Sequence, residues 1–392
     1  MVHPDRYRYS KFVLPRPLDG VRVLELSQIV AGPACGRLLA DLGAEVIKIE
    51  SPTGDLARSV PPEIEGVGAL YAQFNAGKRH VCVDIRTPGG AEVATALADR
   101  SDVFLENFRP GALAAHGLGY QRLSERNPRL IYLSISGFGQ DGPWSERRGH
   151  APLLHAEGGT MEAGSRLRGA APQPEVYQHA DLYSGYLGVS AVCAALYQRD
   201  RTGLGQHLDL ALAEALLYAS DQVVVDLLDY DGRREFDTWT YPVVTTANGE
   251  VVCLIGNPLR LFDRWMTALG AEPGPAPPLD EQSARAAIVE AAARFADAIS
   301  LQAALAEHRL IGAVVQPATR LLETDWAISR GVLAEASPGV MVPAAPWRST
   351  GATIGVAGTA GSIGEHTTDV LTEVLGLADG QLEELRDSGA IR

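Results

Sequence analysis

The chain has no Cys-x-x-Cys pair. Its four cysteines, Cys35, Cys82, Cys193 and Cys253, stand apart in apolar stretches. That spacing excludes a disulfide scaffold and a cysteine-based zinc site, and it predicts buried free thiols in a reducing cytoplasm. Also missing is any run of about 18 uncharged apolar residues, so no membrane-spanning helix is expected. Residues 1–17 are polar, include Arg6, Arg8 and Lys11, and lack the apolar centre of a secretory signal. There is no excess of positive charge. The formal net charge of −14 argues against a nucleic-acid surface and against an anchor on anionic membranes. It leaves room for a local cationic pocket that takes a phosphorylated ligand. No G-x-G-x-x-G follows the first predicted strand, so the dinucleotide fingerprint is absent. No internal repeat or low-complexity segment occurs.

What is present is an α/β pattern. At 392 residues the chain is long for one core, which predicts two domains or one large domain with a smaller insert. Hydrophobic residues make up 46% and charged residues 21%, as in a folded protein that keeps its charges outside. The run Val21–Leu26 reads as a strand, the pattern through Leu38, Leu39 and Leu42 as a helix closed by Gly43, and Ala44–Ile49 as the next strand. This βαβ unit predicts parallel strands with a right-handed crossover. Further strands are expected at His80–Asp84, Asp102–Glu106, Arg129–Ile135 and Gln206–Leu210. Helices are expected at Ala91–Leu97, Gly185–Tyr197 and Ala213 to about Leu228, and the segment Arg122–Asn127 leads into the strand Arg129–Ile135. Ligands in open α/β sheets bind beyond the carboxyl ends of the strands. The loops Arg86–Gly90, Asn107–Gly111 and Ser136–Pro143 are therefore the ones to watch. After Leu228 the composition turns charged and aromatic. Val243–Ile255 reads as a hairpin about Asn248-Gly249, and Pro273–Pro278 as a proline-rich loop. Ser283–His308 and the tail Ser362–Arg392 carry helical patterns. The domain division expected is 1–229, 230–330 and 331–392.

Gln178–Gly185 is the stretch with the most chemistry. It follows a loop rich in Gly, Ala and Pro, Gly158–Pro174, and precedes a buried helical run. Asp181 stands at that junction. It reads either as an N-cap, whose carboxylate accepts a backbone N–H, or as a nucleophilic carboxylate facing a cleft.

Several loops, taken together, resemble the family III CoA-transferases, the CaiB/BaiF-like group that also contains the α-methylacyl-CoA racemases. The matching pieces are Leu18–Leu26, Ala31-Gly32-Pro33, Leu42–Glu50, Phe74–Arg79, Glu106–Gly111, Ser136–Gln140, Ala180-Asp181, Thr202–Gln206 and Gly364–Thr367. They run in one order through almost the whole chain. The resemblance implies a Rossmann-like large domain with a parallel sheet, a smaller α+β domain, and an interlocked homodimer. It implies acyl-CoA and a small carboxylic acid as substrates, with coenzyme A passing between them and no permanently bound cofactor or metal.

By that resemblance Asp181 matches the nucleophile. Its carboxylate would take the acyl group as a mixed anhydride and then CoA as an aspartyl thioester. Arg86, Asn107, Phe108, Arg109 and Arg148 match CoA-contacting positions, where cations suit the phosphates. Ser51 and Ala115 stand where some transferases carry arginine, so the phosphate contacts differ in detail. Lys78-Arg79 matches a family motif without an assigned role. His150 matches the histidine that forms the racemases' acid–base pair with the residue corresponding to Asp181. A racemase is therefore the alternative reading. Two departures weigh against it: Ala151 replaces the usual Asp after the histidine, and Asn257 stands where a supporting Glu is expected. No glycine run occurs between Tyr230 and Pro258, which makes a one-carbon substrate the lesser expectation. Phe236, Trp239 and Tyr241 are candidates for lining a larger acyl pocket.

Overall fold

The computed structural model describes residues 14–64, 67–220, 223–228, 241–272, 278, 280–355 and 358–392. They form two compact units: the described residues of 1–159, 174–220 and 331–392 in the first, those of 160–173 and 221–330 in the second. The sequence division began the middle segment at Tyr230; the contact division begins it at Asp221 and adds residues 160–173. Phe236 and Trp239 lie outside the described residues, and Tyr241 is exposed.

The first unit is built on β1 (Arg22–Leu26), α1 (Ala31–Asp41), β2 (Glu45–Glu50), the short pair β3 (Glu63–Ile64) and β4 (Val67–Gly68), α2 (Ala69–Asn75), β5 (Arg79–Cys82), α3 (Pro88–Asp99), β6 (Val103–Glu106), α4 (Tyr120–Arg126), β7 (Ile131–Ser136), α5 (Ala151–Glu157), α7 (His179–Thr202), β8 (Gln206–Ala211) and α8 (Leu212–Ala219). Six strands form one parallel sheet in the order β5-β2-β1-β6-β7-β8. This is the doubly wound order, and it reverses between β1 and β6. The strands read as near-continuous apolar runs because both faces are covered. Val23, Val46, Val103 and Leu133 pack on one face with α1 and α7. Leu24, Ile47, Phe104 and Tyr132 pack on the other with α3 and the C-terminal helices. Each fully buried aliphatic side chain contributes about 1.5–3 kcal/mol.

The C-terminal part adds the hairpin β12 (Leu333–Ser337) and β13 (Val340–Pro343), then α15 (Thr367–Leu375) and α16 (Asp379–Asp387). It is knitted to β5: Cys82 N–H donates to Thr367 Oγ1 across 285 residues of sequence. His366 N–H donates to His80 O, and Asp84 N–H to Ala390 O, both at 2.9 Å.

The second unit holds α6 (Thr160–Arg168), α9 (Val223–Leu227), β9 (Val243–Thr245), β10 (Val251–Ile255), α10 (Phe262–Ala268), α11 (Glu281–Ala292), α12 (Ala298–Glu307), β11 (Ile311–Val314), α13 (Ala318–Leu322) and α14 (Asp325–Arg330). Its antiparallel sheet runs β11-β10-β9 over a core around Trp265 and Ile288. Arg166 ties α6 to Asp226 of α9 at 2.9 Å.

Three local expectations are corrected. The stretch Gly158–Pro174 is not all loop, because it contains α6. The helix expected over Ala213–Leu228 stops at Ser220, whose backbone is extended, and α9 is separate. Asp181 is not the N-cap of α7. Gln178 holds that position, and Asp181 lies inside the first turn.

Candidate active site

The loops after β1 and β6 meet where the strand order reverses. Asn107 clamps them together: Gln28 N–H donates to its Oδ1 at 2.8 Å, and its Nδ2 donates to Gln28 O at 2.9 Å. One residue earlier, Glu106 Oε2 accepts from Phe108 N–H at 2.7 Å. Burial raises the Glu106 carboxyl to about 7, against hydrogen bonds from Ser134 and the Phe108 N–H. Both sides of the Asn107-Phe108 turn are thus fixed by side chains from the sheet's own strand end.

The loops after β1, β6 and β7, the start of α5 and the start of α7 enclose a cavity of about 650 Å³. Its wall includes Asn107, Phe108, Arg109, Arg148, His150 and Asp181. Six of the seven site residues picked from sequence therefore share one cavity. Arg86 does not. It lines a neighbouring hollow of about 240 Å³ with Ser51 and Phe108, and it is exposed and paired with Asp84 at 2.7 and 2.8 Å. The two hollows share Gln28 and Phe108.

A close backbone approach places the β7–α5 loop. Gly137 and Gly149 cross so tightly that a Cβ on Gly149 would stand 2.2 Å from the Gly137 Cα. Only glycine fits on either side, so Arg148 and His150 are held beside the end of β7. His150 begins α5 as its N-cap residue, but its side chain makes no cap bond. The neighbouring Ala151 N–H reaches across to the Asp181 carboxylate.

Asp181 itself is half-buried, and no cation pairs with it among the described residues. Its acceptor bonds come from the backbone N–H groups of Ala151 and of Asp181. Burial outweighs those bonds and raises the carboxyl to about 6. The cations stand elsewhere on the wall. Arg109 and Arg148 are exposed and form no ion pair among the described residues. Arg147 pairs with Glu157 at 2.5 Å and lies over the Trp144 ring.

Four wall residues carried no assigned role in the sequence: Ser136 and Gln178, within stretches already singled out, and Gln28 and Ile29. Ser136, at the end of β7, is buried with no hydrogen-bond partner for its Oγ. Gln28, Ile29 and Gln178 complete the rim. A serine or glutamine at the carboxyl end of a parallel strand was the available signal for Ser136 and Gln28. Asn257, in the second unit, accepts from Arg260 N–H at 2.6 Å in a local turn. Among the described residues no group of three or more His, Cys, Asp or Glu side chains is placed to hold a metal ion. No helix among them is long and apolar enough to cross a membrane.

A doubly wound sheet with a carboxylate at the mouth of a cation-rimmed switch-point cavity is the frame; comparison with known proteins gives its class. The family model described as CoA-transferase family III matches residues 18–367, and the chain belongs to that family of enzymes. It is 32% identical to the succinyl-CoA–L-malate CoA-transferase beta subunit of Chloroflexus aurantiacus, over 96% of this chain and 98% of that one. It is also 32% identical to the same organism's succinyl-CoA–D-citramalate CoA-transferase, over 95% and 97%. Among solved structures, a CAIB/BAIF family protein from Brucella suis superposes with a TM-score of 0.82 at 30% identity, covering 92% of this chain and 100% of that one.

Proposed function

We propose that this enzyme moves CoA from an acyl-CoA thioester to a carboxylic acid through covalent intermediates on Asp181. The observation that carries the reading is a carboxylate in the cavity wall that accepts from backbone N–H groups and pairs with no cation among the described residues. A salt-bridged carboxylate is a poorer nucleophile than one whose charge is left unneutralised.

The steps balance without ATP, metal or redox cofactor. An Asp181 oxygen attacks the thioester carbonyl and the C–S bond breaks, leaving a mixed anhydride and CoA thiolate. The thiolate attacks the Asp181 carbonyl carbon, and the anhydride C–O bond breaks there. The donor acid leaves as its carboxylate, and aspartyl-CoA remains. The acceptor carboxylate attacks that thioester and regenerates thiolate and a new anhydride. The thiolate then attacks the acceptor's acyl carbon, giving the new acyl-CoA and free Asp181. Arg109 and Arg148 are the cations free to meet phosphate or carboxylate oxygens at the cavity rim. Asn107 and Phe108 wall the same cavity. Arg86 faces the adjoining hollow, suited to a more distant part of CoA. The named substrates of the two full-length relatives are dicarboxylic acids. Two uncommitted guanidiniums support that class here.

A racemase remains the second reading because His150 lines the same cavity as Asp181. The two part in one experiment. The enzyme is incubated in D2O with succinyl-CoA and a series of dicarboxylic acids, and in parallel with a 2-methylacyl-CoA and the same acids; protein digests and acyl-CoA products are then weighed. A CoA adduct on the peptide bearing Asp181, with transfer to an acid, supports the transferase. α-Deuterium incorporation into a 2-methylacyl-CoA without adduct or transfer overturns it. The enzyme is also read as a cytoplasmic homodimer. The exposed Tyr197, Leu204 and Tyr218 support a covered face, and sedimentation at micromolar concentration checks it.

A further inference from the structure

Directly beneath the β1–α1 loop lies a cluster of buried ions. Glu25 and Lys48 are register partners on β1 and β2 and pair at 3.2 Å with neither side chain exposed. Lys48 also pairs with Asp55 at 3.1 Å, and Lys78 with Glu25 at 2.7 Å. Gly36 in α1 makes room, since a Cβ there would collide with Glu25 Oε2 at 1.8 Å. Glu50 adds a bidentate pair with Arg58 at 2.6 and 2.7 Å. Three carboxylates thus face three cations inside the fold. Desolvation makes such clusters weak contributors to stability, so their presence asks for another reason.

The contacts supply one. Lys48, Lys78 and Asp55 grip the segment that runs from the end of β1 into α1 along the cavity wall. Lys48 donates to Ser27 O at 2.9 Å, and Lys78 donates to Pro33 O at 3.1 Å. Between those points Asp55 Oδ1 accepts from Ile29 N–H at 3.0 Å, while also capping the turn Leu56–Ser59 through Ala57 N–H at 2.9 Å. Ile29 has φ 67°. A β-branched residue in the left-handed region is strained, and such strain persists only where the surroundings enforce it. Ile29 lines the cavity, and its side chain packs with Leu182 on the small cluster of Val30, Ala34 and Phe74. Leu182 is the neighbour of Asp181 on α7. The chain of contact runs from Lys48 through Asp55 and Ile29 to the turn that carries the carboxylate.

We infer that Asp55 is a positioning residue. Its carboxylate, steadied by Lys48, holds Ile29 in its strained conformation and so sets the cavity wall against the Asp181 turn. The inference rests on the transferase reading. Asp55 is buried at the base of the adjoining hollow with its carboxylate taken up by Lys48, Ile29 and Ala57, so an effect on kcat more than on KM is expected.

The test is a double-mutant cycle of Asp55→Asn and Ile29→Gly, with the Asp181 adduct rate and steady-state kinetics measured well below each melting temperature. An amide keeps the shape of Asp55 but gives a weaker acceptor, and glycine takes positive φ freely. Asp55→Asn should lower kcat about ten-fold with KM within about two-fold, as small misplacements in a site do. In the Ile29→Gly background the same change should cost less than about three-fold, because no strain is left to hold. An equal loss in both backgrounds, or wild-type kcat in Asp55→Asn, overturns the proposal. Should Asp55→Asn fail to fold alone, the cycle is run with Asp55→Glu, whose longer arm displaces the acceptor, and the same two outcomes decide. Absence of any adduct in the wild-type enzyme sinks the transferase reading instead, so the two failures are told apart.

Discussion

Two regions of the first unit bury carboxylates and treat them in opposite ways. Under the β1–α1 loop, Glu25, Glu50 and Asp55 are each in contact with a lysine or arginine. Burial works against Glu50's charge, but the hydrogen bonds from Arg58 and His80 hold it well below the usual carboxylate range. Burial likewise works against the Lys48 ammonium, and Glu25 and Asp55 more than restore it. At the start of α7, Asp181 meets backbone N–H groups and no cation among the described residues, and burial lifts its carboxyl to about 6. The difference teaches where the fold spends its charge neutralisation. Carboxylates of the cluster that holds the β1–α1 loop are paired; the one proposed to form bonds is left unneutralised, at a cost in stability, as is Glu106 at the end of β6.

Removing the unpaired carboxylate should have the largest effect. Asp181→Ala is expected to lower transfer by at least about 1000-fold and to abolish the CoA adduct, as loss of a covalent nucleophile does. Stopped-flow or endpoint mass measurement checks it; an Asp181→Ala enzyme with substantial turnover would end the proposed mechanism. Next comes the paired region. Lys48→Met leaves Glu25 and Asp55 facing each other without their shared cation and should cost about 3–5 kcal/mol, read from the shift in urea midpoint. A loss below about 1 kcal/mol would mean that the Lys48 charge does not hold the two carboxylates together. On the rim, Arg148→Ala should raise a substrate KM about ten-fold with a smaller change in kcat, an effect that fades as salt is added. The smallest effect concerns pH. Asp181 attacks as the carboxylate, so kcat/KM should fall on the acid side of about pH 6. The folded carboxyl binds its proton more tightly than the unfolded one, so stability falls as pH rises through that range. Asp181→Asn removes this penalty. Its melting temperature should exceed wild type by about 2–5 °C at pH 8 and match it near pH 4. A constant gap across that range would detach the effect from ionisation.

The sheet was legible because parallel strands covered on both faces are runs such as Val21–Leu26 and Arg129–Ile135, punctuated by glycine. The observed strands begin and end within two residues of those runs. The hairpin at Asn248-Gly249 was equally plain. Helix ends were less so, since the apolar pattern runs on past Ser220 although the backbone there is extended. Asp181 read from position alone as a cap or as a nucleophile facing a cleft; the backbone puts Gln178 at the cap position, and Asp181 lines the cavity. The buried ions were missed altogether. A charge at every second position of a strand normally faces water. In a sheet covered on both sides, opposite charges within the apolar runs of two adjacent strands, Glu25 in β1 and Lys48 in β2, were the signal for a buried pair. Lys78, a motif residue without a role in the sequence, proves to be that cluster's third anchor, its ammonium brought down to about 8 by burial despite Glu25. Ile29 carries no signal at all, since strain belongs to the assembled loop.

The stitching of β5 to residues 366–392 has a consequence for how the chain reaches this state. During synthesis β1, β2 and β5 emerge early, but the helices and backbone groups that finish that border emerge some 285 residues later. Until then Arg79–Cys82 offers an open strand border to any neighbouring chain on a polysome. A nascent protein of this design spends most of its translation time exposed to misassembly at one edge. Chains halted near residue 331 should accumulate with chaperones or in aggregates, while chains carried through residue 392 should not.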